Sequence, residues 1–133
     1  MIPDFNDDGY LPPGIHPATL DEIAARFGQE NELRQVQMQS LRWLVDLARR
    51  AGVQRIIVNG SFVTEKYEPN DVDCLLLIAP EFPSDVSAEA ELRRGLPFIH
   101  TELLEQADLD VMIDTIFART RHGFHKGMIE VLP

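Results

Sequence analysis

Two apolar runs near the middle of the chain are separated by a polar segment, and this pattern predicts a pair of β-strands. The runs cover residues 55–58 and 72–79, and the polar segment between them ends in a Pro-Asn turn signal. We therefore expect the two strands to pair antiparallel across a loop. Because side chains alternate between the two faces of a strand, Asp71 and Asp73 should project from the same face.

Apolar residues at three- and four-residue spacing predict helices around this strand pair. Thr19 and Glu22 have the spacing of a capping box at the start of a short helix, which Gly28 is placed to end. The longest helix is expected over 31–50 and should pack on the sheet. The remaining pattern predicts helices over 87–94 and 98–106 and strands over 109–113 and 128–132. The expected fold class is α/β (α+β), with a mixed sheet of about four strands and packed helices.

The first 18 residues are rich in proline and glycine, which disfavours a regular element. We expect an N-terminal arm over 1–18 and a single domain over 19–133. Within the arm, the segment from Asp4 to Gly9 reproduces the first half of an EF-hand calcium loop. The loop position that requires a glutamate is Ile15, so an Asx-rich turn is favoured over calcium binding.

Length, charge and cysteine content narrow the class of protein. A chain of 133 residues suffices for one domain. Its net charge of -10, from 22 acidic and 12 basic side chains, disfavours long nucleic acid and anionic membrane as partners. The single cysteine, Cys74, lies in an apolar run and is expected to be a buried, inert thiol, which fits a reducing cytoplasm. The sequence shows neither a signal-peptide pattern nor an apolar run approaching ~18 residues, so we expect no membrane span.

The turn after the first strand and the two aspartates are the first candidates for chemistry. Gly60 and Ser61 would let a backbone approach a phosphate closely, with N–H groups and a hydroxyl as donors. Asp71 and Asp73 would place two negative charges side by side, which a divalent cation such as Mg²⁺ or Mn²⁺ would neutralise. Asp110, in the strand-like run 109–113, is the natural third carboxylate of a two-metal site.

The order of these residues resembles a known signature. The pattern apolar-Asn-Gly-Ser, nine residues and Asp-Val-Asp-Cys, over 58–74, is similar to that of the DNA polymerase β-like nucleotidyltransferase superfamily. The segments LPPGIHPAT, GSFVTEK, PNDVD and HKGMIEV further resemble a family of small uncharacterised bacterial nucleotidyltransferase-like proteins. The resemblance implies a minimal nucleotidyltransferase fold. It also implies metal-dependent transfer of a nucleoside monophosphate from a nucleoside triphosphate to a protein or small-molecule acceptor.

The resemblance also implies roles by position. Gly60 and Ser61 would hold the triphosphate, Asp71 and Asp73 would bind Mg²⁺ or Mn²⁺, and Asp110 would be the third carboxylate. Asp110, Asp71 and Asp73 are thus the expected catalytic and metal residues.

Some positions differ from the superfamily pattern. Phe62 follows the Gly-Ser pair where a basic residue is usual, and no further glycine precedes the aspartates. Lys66 is then the cation expected to help bind phosphate. Asp108 and Asp114 share strand parity with Asp110, and Asp114 is the second choice for the third carboxylate. These differences support an alternative, a catalytically inactive binding or regulatory module of the same fold, such as a toxin–antitoxin partner.

A second group of basic residues lies near the C-terminus. His122 and His125 have a His-x-x-His spacing, but flanking glycines favour a surface turn over a zinc site. If that turn folds over the cleft, Arg119, Arg121 and Lys126 become local cations for phosphate.

Overall fold

In residues 1–112, 114–115 and 126–133, which the computed structural model describes, five strands form one mixed sheet. The strands are β1 (Ile15–Ala18), β2 (Arg55–Asn59), β3 (Val72–Leu77), β4 (Ile99–Leu104) and β5 (Met128–Val131). Their order across the sheet is β1-β5-β2-β3-β4. The mixed α+β fold class predicted from the sequence is therefore confirmed.

The central pair of strands has the predicted direction. β2 and β3 are antiparallel, and their register places Asn59 opposite Asp73. β5 is antiparallel to β2, whereas β1 pairs with β5 and β4 pairs with β3 in parallel. The end of β2 and the start of β3 thus meet at one end of the sheet.

Four helices are described: α1 (Leu20–Phe27), α2 (Glu32–Ala51), α3 (Val86–Arg94) and α4 (Gln106–Met112). The capping box of Thr19 and Glu22 is present at the start of α1, as predicted. Asn31 caps α2 and Gly52 ends it in a left-handed conformation. Asp85 caps α3 by accepting from the N–H of Ala88, so this helix begins one residue before the predicted start at residue 87.

Two apolar clusters lie on opposite faces of the sheet. Leu76 belongs to the larger cluster, which includes the buried residues of α1, α2 and α3. Its neighbour Leu75 belongs to the smaller cluster, with Ile57 and Leu109 of α4. Because adjacent residues of a strand point to opposite faces, the sheet lies between α1–α3 on one side and α4 on the other.

Three predictions of secondary structure were wrong. Residues 98–106, expected as a helix, contain β4, and residues 109–112 of the strand expected over 109–113 belong to α4. Residue 113 lies outside the described residues. Residues 15–18 of the expected arm form β1 at the sheet edge, and Leu11 is completely buried. Among the helices of the described residues, none has the length and apolar character needed to cross a bilayer.

Candidate functional site

The turn that follows β2 packs directly against the second aspartate. Gly60 has a φ of 81° and a ψ of -165°, a region that is essentially restricted to glycine. A Cβ atom added at Gly60 would collide with Oδ2 of Asp73. The glycine therefore allows the carboxylate to lie against the turn backbone, and Ser61 begins a short 3₁₀ turn there.

Asp71 and Asp73 lie together, as their spacing predicts. Burial raises the pKa of the Asp73 carboxyl, and the charge of Asp71 and a hydrogen bond between the two carboxyl groups raise it further. Two carboxylates held this closely are costly to ionise together without a cation. The arrangement thus favours binding of a positive charge.

Basic groups of the chain oppose this shift. His100, the register partner of Asp73 on β4, and Lys126 both act to lower the Asp73 pKa. Lys126 is itself partly buried, and burial lowers the pKa of its ammonium while Asp73 raises it. Lys126, conditionally proposed as a phosphate-binding cation, therefore lies near the aspartates, whereas the sequence had given His100 no role.

The N-terminal segment holds Lys126 in place. The N–H of Gly127 donates to the carbonyl of Leu11 over 2.9 Å, and the N–H of Met128 donates to the carbonyl of Gly14. A Cβ atom at Gly127 would collide with the carbonyl oxygen of Pro12. Residues 11–14 and Gly127, distant in sequence, are thus packed together beside the site.

A buried arginine of α2 fixes the loop between β2 and β3. Arg34 is 1% exposed, and its guanidinium donates to the carbonyl oxygens of Phe62 (2.8 Å), Thr64 (2.9 Å) and Lys66 (2.6 Å). It also donates to the carbonyl of Phe27 over 3.0 Å. A single side chain therefore ties the loop to helices α1 and α2.

The N-cap residue of α2 and a further side chain of this helix bind the same loop. The Nδ2 of Asn31 donates to the carbonyl of Tyr67, and the Nε2 of Gln37 donates to the carbonyl of Pro69. On the other side, the N–H of Glu65 donates to the carbonyl of Gly9. The loop that carries Ser61 is therefore held from two sides.

The structure explains the phenylalanine in place of a basic residue. Phe62 is fully buried, with its ring 6.1 Å from that of Phe27 and 5.3 Å from the Arg34 guanidinium carbon. Its side chain packs in the core and cannot contact a phosphate. Lys66 is exposed, and its described hydrogen bonds are made by backbone atoms.

Asp110 lies at the other end of the sheet from the aspartate pair. It is exposed on α4, where its Oδ1 accepts from Nε2 of Gln106 over 2.9 Å. Its charge acts on Arg55, although Glu130 is the main cause of the raised pKa of that arginine. Arg55 is four residues from Asn59 along β2, about 13 Å at the usual rise.

The structure therefore does not bring Asp110 to the pair formed by Asp71 and Asp73. In the described part of the chain, no group of three or more His, Cys, Asp or Glu residues is arranged to hold a metal. Asp114 is exposed and does not complete such a group either.

The structure also bears on the predicted N-terminal turn, on Cys74 and on the basic residues near the C-terminus. The Oδ1 of Asn6 accepts from the N–H groups of Asp8 and Tyr10, so the Asx turn predicted near the N-terminus is confirmed. Cys74 is buried, and burial strongly raises the pKa of its thiol. Four basic residues of the C-terminal group lie outside the described residues: Arg119, Arg121, His122 and His125.

The donor set at the aspartate pair fits a hard divalent cation. Asn59 is 1% exposed, and its Oδ1 has no hydrogen-bond partner among the described residues. It shares a sheet face with Asp73, because the two are register partners. Two carboxylates and an amide oxygen are ligands that Mg²⁺ and Mn²⁺ accept.

Sequence reasoning missed Arg34 and Asn59. Arg34 lies three residues before Gln37 and seven before Leu41, so it belongs to the buried stripe of α2. A charged residue on an apolar stripe needs hydrogen-bond partners, and this signal could have identified it.

Comparison with known proteins identifies one family for the chain. No curated protein and no solved structure matches the chain at a significant level. A family model described as a family of unknown function, DUF6932, matches residues 3–132. The chain therefore belongs to the DUF6932 family.

Proposed function

We propose that this protein is a metal-dependent nucleotidyltransferase. It would transfer a nucleoside monophosphate from a nucleoside triphosphate to a protein or small-molecule acceptor. The observation that carries the proposal is the packing of Asp73 against Gly60, beside Asp71. This joins a turn able to bind phosphate to a carboxylate pair able to bind Mg²⁺ or Mn²⁺.

Each of these residues has a chemical task. Asp71, Asp73 and the Asn59 amide oxygen would hold the cation, which when bound supplies positive charge to the triphosphate. The backbone N–H groups of the turn and the Ser61 hydroxyl would donate to phosphate oxygens. Lys126 adds a positive charge beside Asp73.

The reaction is an in-line displacement at the α-phosphorus. The acceptor hydroxyl gives its proton to solvent water and its oxygen forms a bond to phosphorus, while the bond from phosphorus to the pyrophosphate oxygen breaks and pyrophosphate leaves. Stabilisation by fixed charges and donors is the main contribution that a protein makes to such a step. Arg34 contributes indirectly, because it fixes the loop that carries Ser61.

Charge and cysteine content bear on the acceptor and the compartment. A net charge of -10 disfavours a polynucleotide acceptor, since phosphate backbones are repelled. The only cysteine, Cys74, is buried, and we place the protein in a reducing cytoplasm on that ground.

A transfer assay tests the proposal. The protein is incubated with radiolabelled nucleoside triphosphates, Mg²⁺ or Mn²⁺, and candidate protein and small-molecule acceptors. We expect label transfer by the native chain and a loss of at least about a hundredfold in Asp71→Asn and Asp73→Asn. Transfer that survives both substitutions would refute the proposal.

The variant Asp110→Asn tests whether Asp110 is the third carboxylate of the site, as the sequence predicts. Asp110 lies on α4, at the end of the sheet away from Asp73, so the structure predicts that this variant retains transfer. A loss equal to that of Asp73→Asn would assign Asp110 to the site.

A second candidate function is a non-catalytic binding module, such as a toxin–antitoxin partner. Lys126 favours it, because the chain itself already supplies a positive charge near Asp73. Tight binding of a partner protein without any nucleotide transfer would support this candidate over the enzyme.

A further inference from the structure

The outer edge of β4 is an open sheet edge. β4 is the last strand in the sheet order, and no described strand pairs with its outer side. The N–H of Val72 donates to Phe98, and that of Ile78 donates to Leu104. Backbone groups of a strand alternate between its two sides, so the even-numbered residues of β4 face β3 and the odd-numbered residues face outward.

At the opposite edge of the sheet, β1 carries a proline that blocks pairing with a further strand, whereas β4 does not. The carbonyls of Gly14, just before β1, and of Ala18 accept from the N–H groups of Met128 and Leu132, so Pro17 lies on the outward side of β1. Proline has no N–H to offer, and an outward proline blocks pairing at an edge. β4 contains no proline over its six residues, Ile99–Leu104.

We propose that a second copy of this chain pairs antiparallel with the outer edge of β4, around a two-fold axis at Thr101. The two sheets would then join into one continuous sheet of ten strands. The inference goes beyond the proposed function and does not depend on it.

Backbone geometry leaves few registers for this pairing. Outward-facing residues must lie opposite one another to exchange N–H and C=O bonds, so odd-numbered residues pair with odd-numbered residues. An axis at Thr101 places Ile99 opposite the partner's Leu103. The N–H of Ile99 already donates to the carbonyl of Leu96 within its own chain, so at this pair the bond on offer runs from the partner's Leu103 N–H to the Ile99 carbonyl. The next register has its axis at Glu102.

Charge selects between these registers. With the axis at Thr101, His100 of each chain lies opposite the partner's Glu102, so an imidazole faces a carboxylate twice on the face that carries Asp73. Within one chain the same groups already lie 3.4 Å apart, from Nε2 of His100 to Oε1 of Glu102. With the axis at Glu102, two carboxylates would face each other, which is unfavourable.

The other face of β4 has room for a partner strand. An open groove of about 390 Å³ lies there. Its lining is both apolar and polar: Leu76, Leu92, Leu103, Thr101, Arg93 and Glu102. The partner's Ile99, which packs partly against its own core, would lie beside Leu103 at the edge of this groove. Imidazole–carboxylate pairing on one face and a groove of mixed polar and apolar lining on the other thus fit a second copy of the chain.

The pairing would bring the partner's Glu102 beside the candidate site. His100 is the register partner of Asp73 and would lie directly opposite that glutamate. The dimer would therefore add a carboxylate near the aspartate pair.

The oligomeric state of the native chain gives the first test. Sedimentation or light scattering, from low micromolar to submillimolar protein, should show a monomer–dimer equilibrium. Thr101→Pro removes the central outward N–H without removing a bond to β3, so it should fold normally. We expect it to weaken dimerisation at least about tenfold.

A cysteine placed at the axis reports the register. Thr101 residues of the two copies would have Cα atoms about 5.5 Å apart, a separation that a disulfide can span. Thr101→Cys should form a covalent dimer in a glutathione buffer. Val86→Cys is the matched control, because Val86 is 72% exposed on α3, away from β4, and should form no covalent dimer, while Cys74 is buried.

A charge exchange tests the specificity of the pairing. His100→Glu places carboxylates opposite each other and should weaken dimerisation about tenfold. Adding Glu102→Lys restores opposite charges and should restore the dimer. A monomer at every protein concentration would overturn the proposal. A dimer that Thr101→Pro and His100→Glu leave unchanged would also overturn it.

Discussion

Arg34 determines where the candidate phosphate turn lies, although it does not itself reach the site. Its guanidinium is buried and donates to carbonyl oxygens of the loop after Gly60 and of α1. Burial lowers the pKa of the guanidinium, and Glu30 partly offsets this shift. The loop thus depends on one charged side chain in the core.

Removal of Arg34 should therefore destabilise the protein strongly. Arg34→Met leaves four carbonyl groups without their donor, and we expect a loss of about 3 kcal/mol in the free energy of unfolding. Arg42→Met is the control, because Arg42 forms an exposed pair with Asp21, and it should cost less than about 1 kcal/mol. Chemical denaturation measures both. Equal small losses in the two variants would contradict the assigned role of Arg34.

Asp73 is expected to reduce stability when no cation is bound. Burial and Asp71 raise its pKa, and they outweigh the attraction of His100 and Lys126. A carboxyl with a raised folded-state pKa costs stability above that pKa, and the cost disappears below the unfolded-state pKa.

Asp73→Asn should therefore raise the melting temperature at neutral pH in the presence of a chelator. The gain should shrink as the pH falls towards about 4, the value of an unperturbed aspartate. Asp7→Asn, at an exposed turn, is the control and should show no such trend. A variant less stable than the native chain at neutral pH, in chelator, would contradict the raised pKa of Asp73.

The turn between β2 and β3 links the backbone to the carboxylate pair. Gly60 and Gly95 have similar positive-φ conformations, but only a Cβ atom at Gly60 would meet another group. Substitution of Gly95 should therefore report the cost of backbone strain alone, whereas substitution of Gly60 should report that cost together with the contact to Asp73.

Alanine at each glycine tests that separation. Gly95→Ala should cost about 1–3 kcal/mol through backbone strain alone. Gly60→Ala should cost at least about 1 kcal/mol more, because it also displaces Asp73. Thermal and chemical unfolding provide both values. Equal costs would show that Asp73 does not pack against the turn.

The strands around this turn were predictable because their apolar runs are unambiguous. Burial on both faces gives β3 a continuous apolar pattern, and the polar loop before it marks its start. β4 was mistaken for a helix because Leu103 and Leu104 are adjacent apolar residues. The polar residues His100 and Glu102 alternate with less polar residues along β4. This strand pattern becomes clear only when β3 is known to pair with β4.

The element that carries Asp110 was predicted wrongly for the same reason. The run around Leu109 reads as a strand from its residue types alone, whereas Leu109 buries one face of a helix against Ile57. Strand parity, which grouped Asp110 with Asp108 and Asp114, has no meaning on a helix. The local sequence pattern predicted the aspartate pair but not helix α4, which carries Asp110.

Across the whole molecule, the sheet brings distant segments to one end. The turn after β2, the start of β3, His100 and Lys126 meet there, although they span more than sixty residues of sequence. The N-terminal segment also reaches this end through Leu11, which accepts from Gly127. Long-range packing of this kind cannot be read from periodicity alone.

The most direct measurement is the melting temperature with and without Mg²⁺ or Mn²⁺ and a nucleoside triphosphate. A ligand that binds only the folded state stabilises it, so the native chain should melt at a higher temperature with both present. The double variant Asp71→Asn with Asp73→Asn should show no such rise. An unchanged native melting temperature, or the same rise in the double variant, would contradict binding of metal and nucleotide at the aspartate pair.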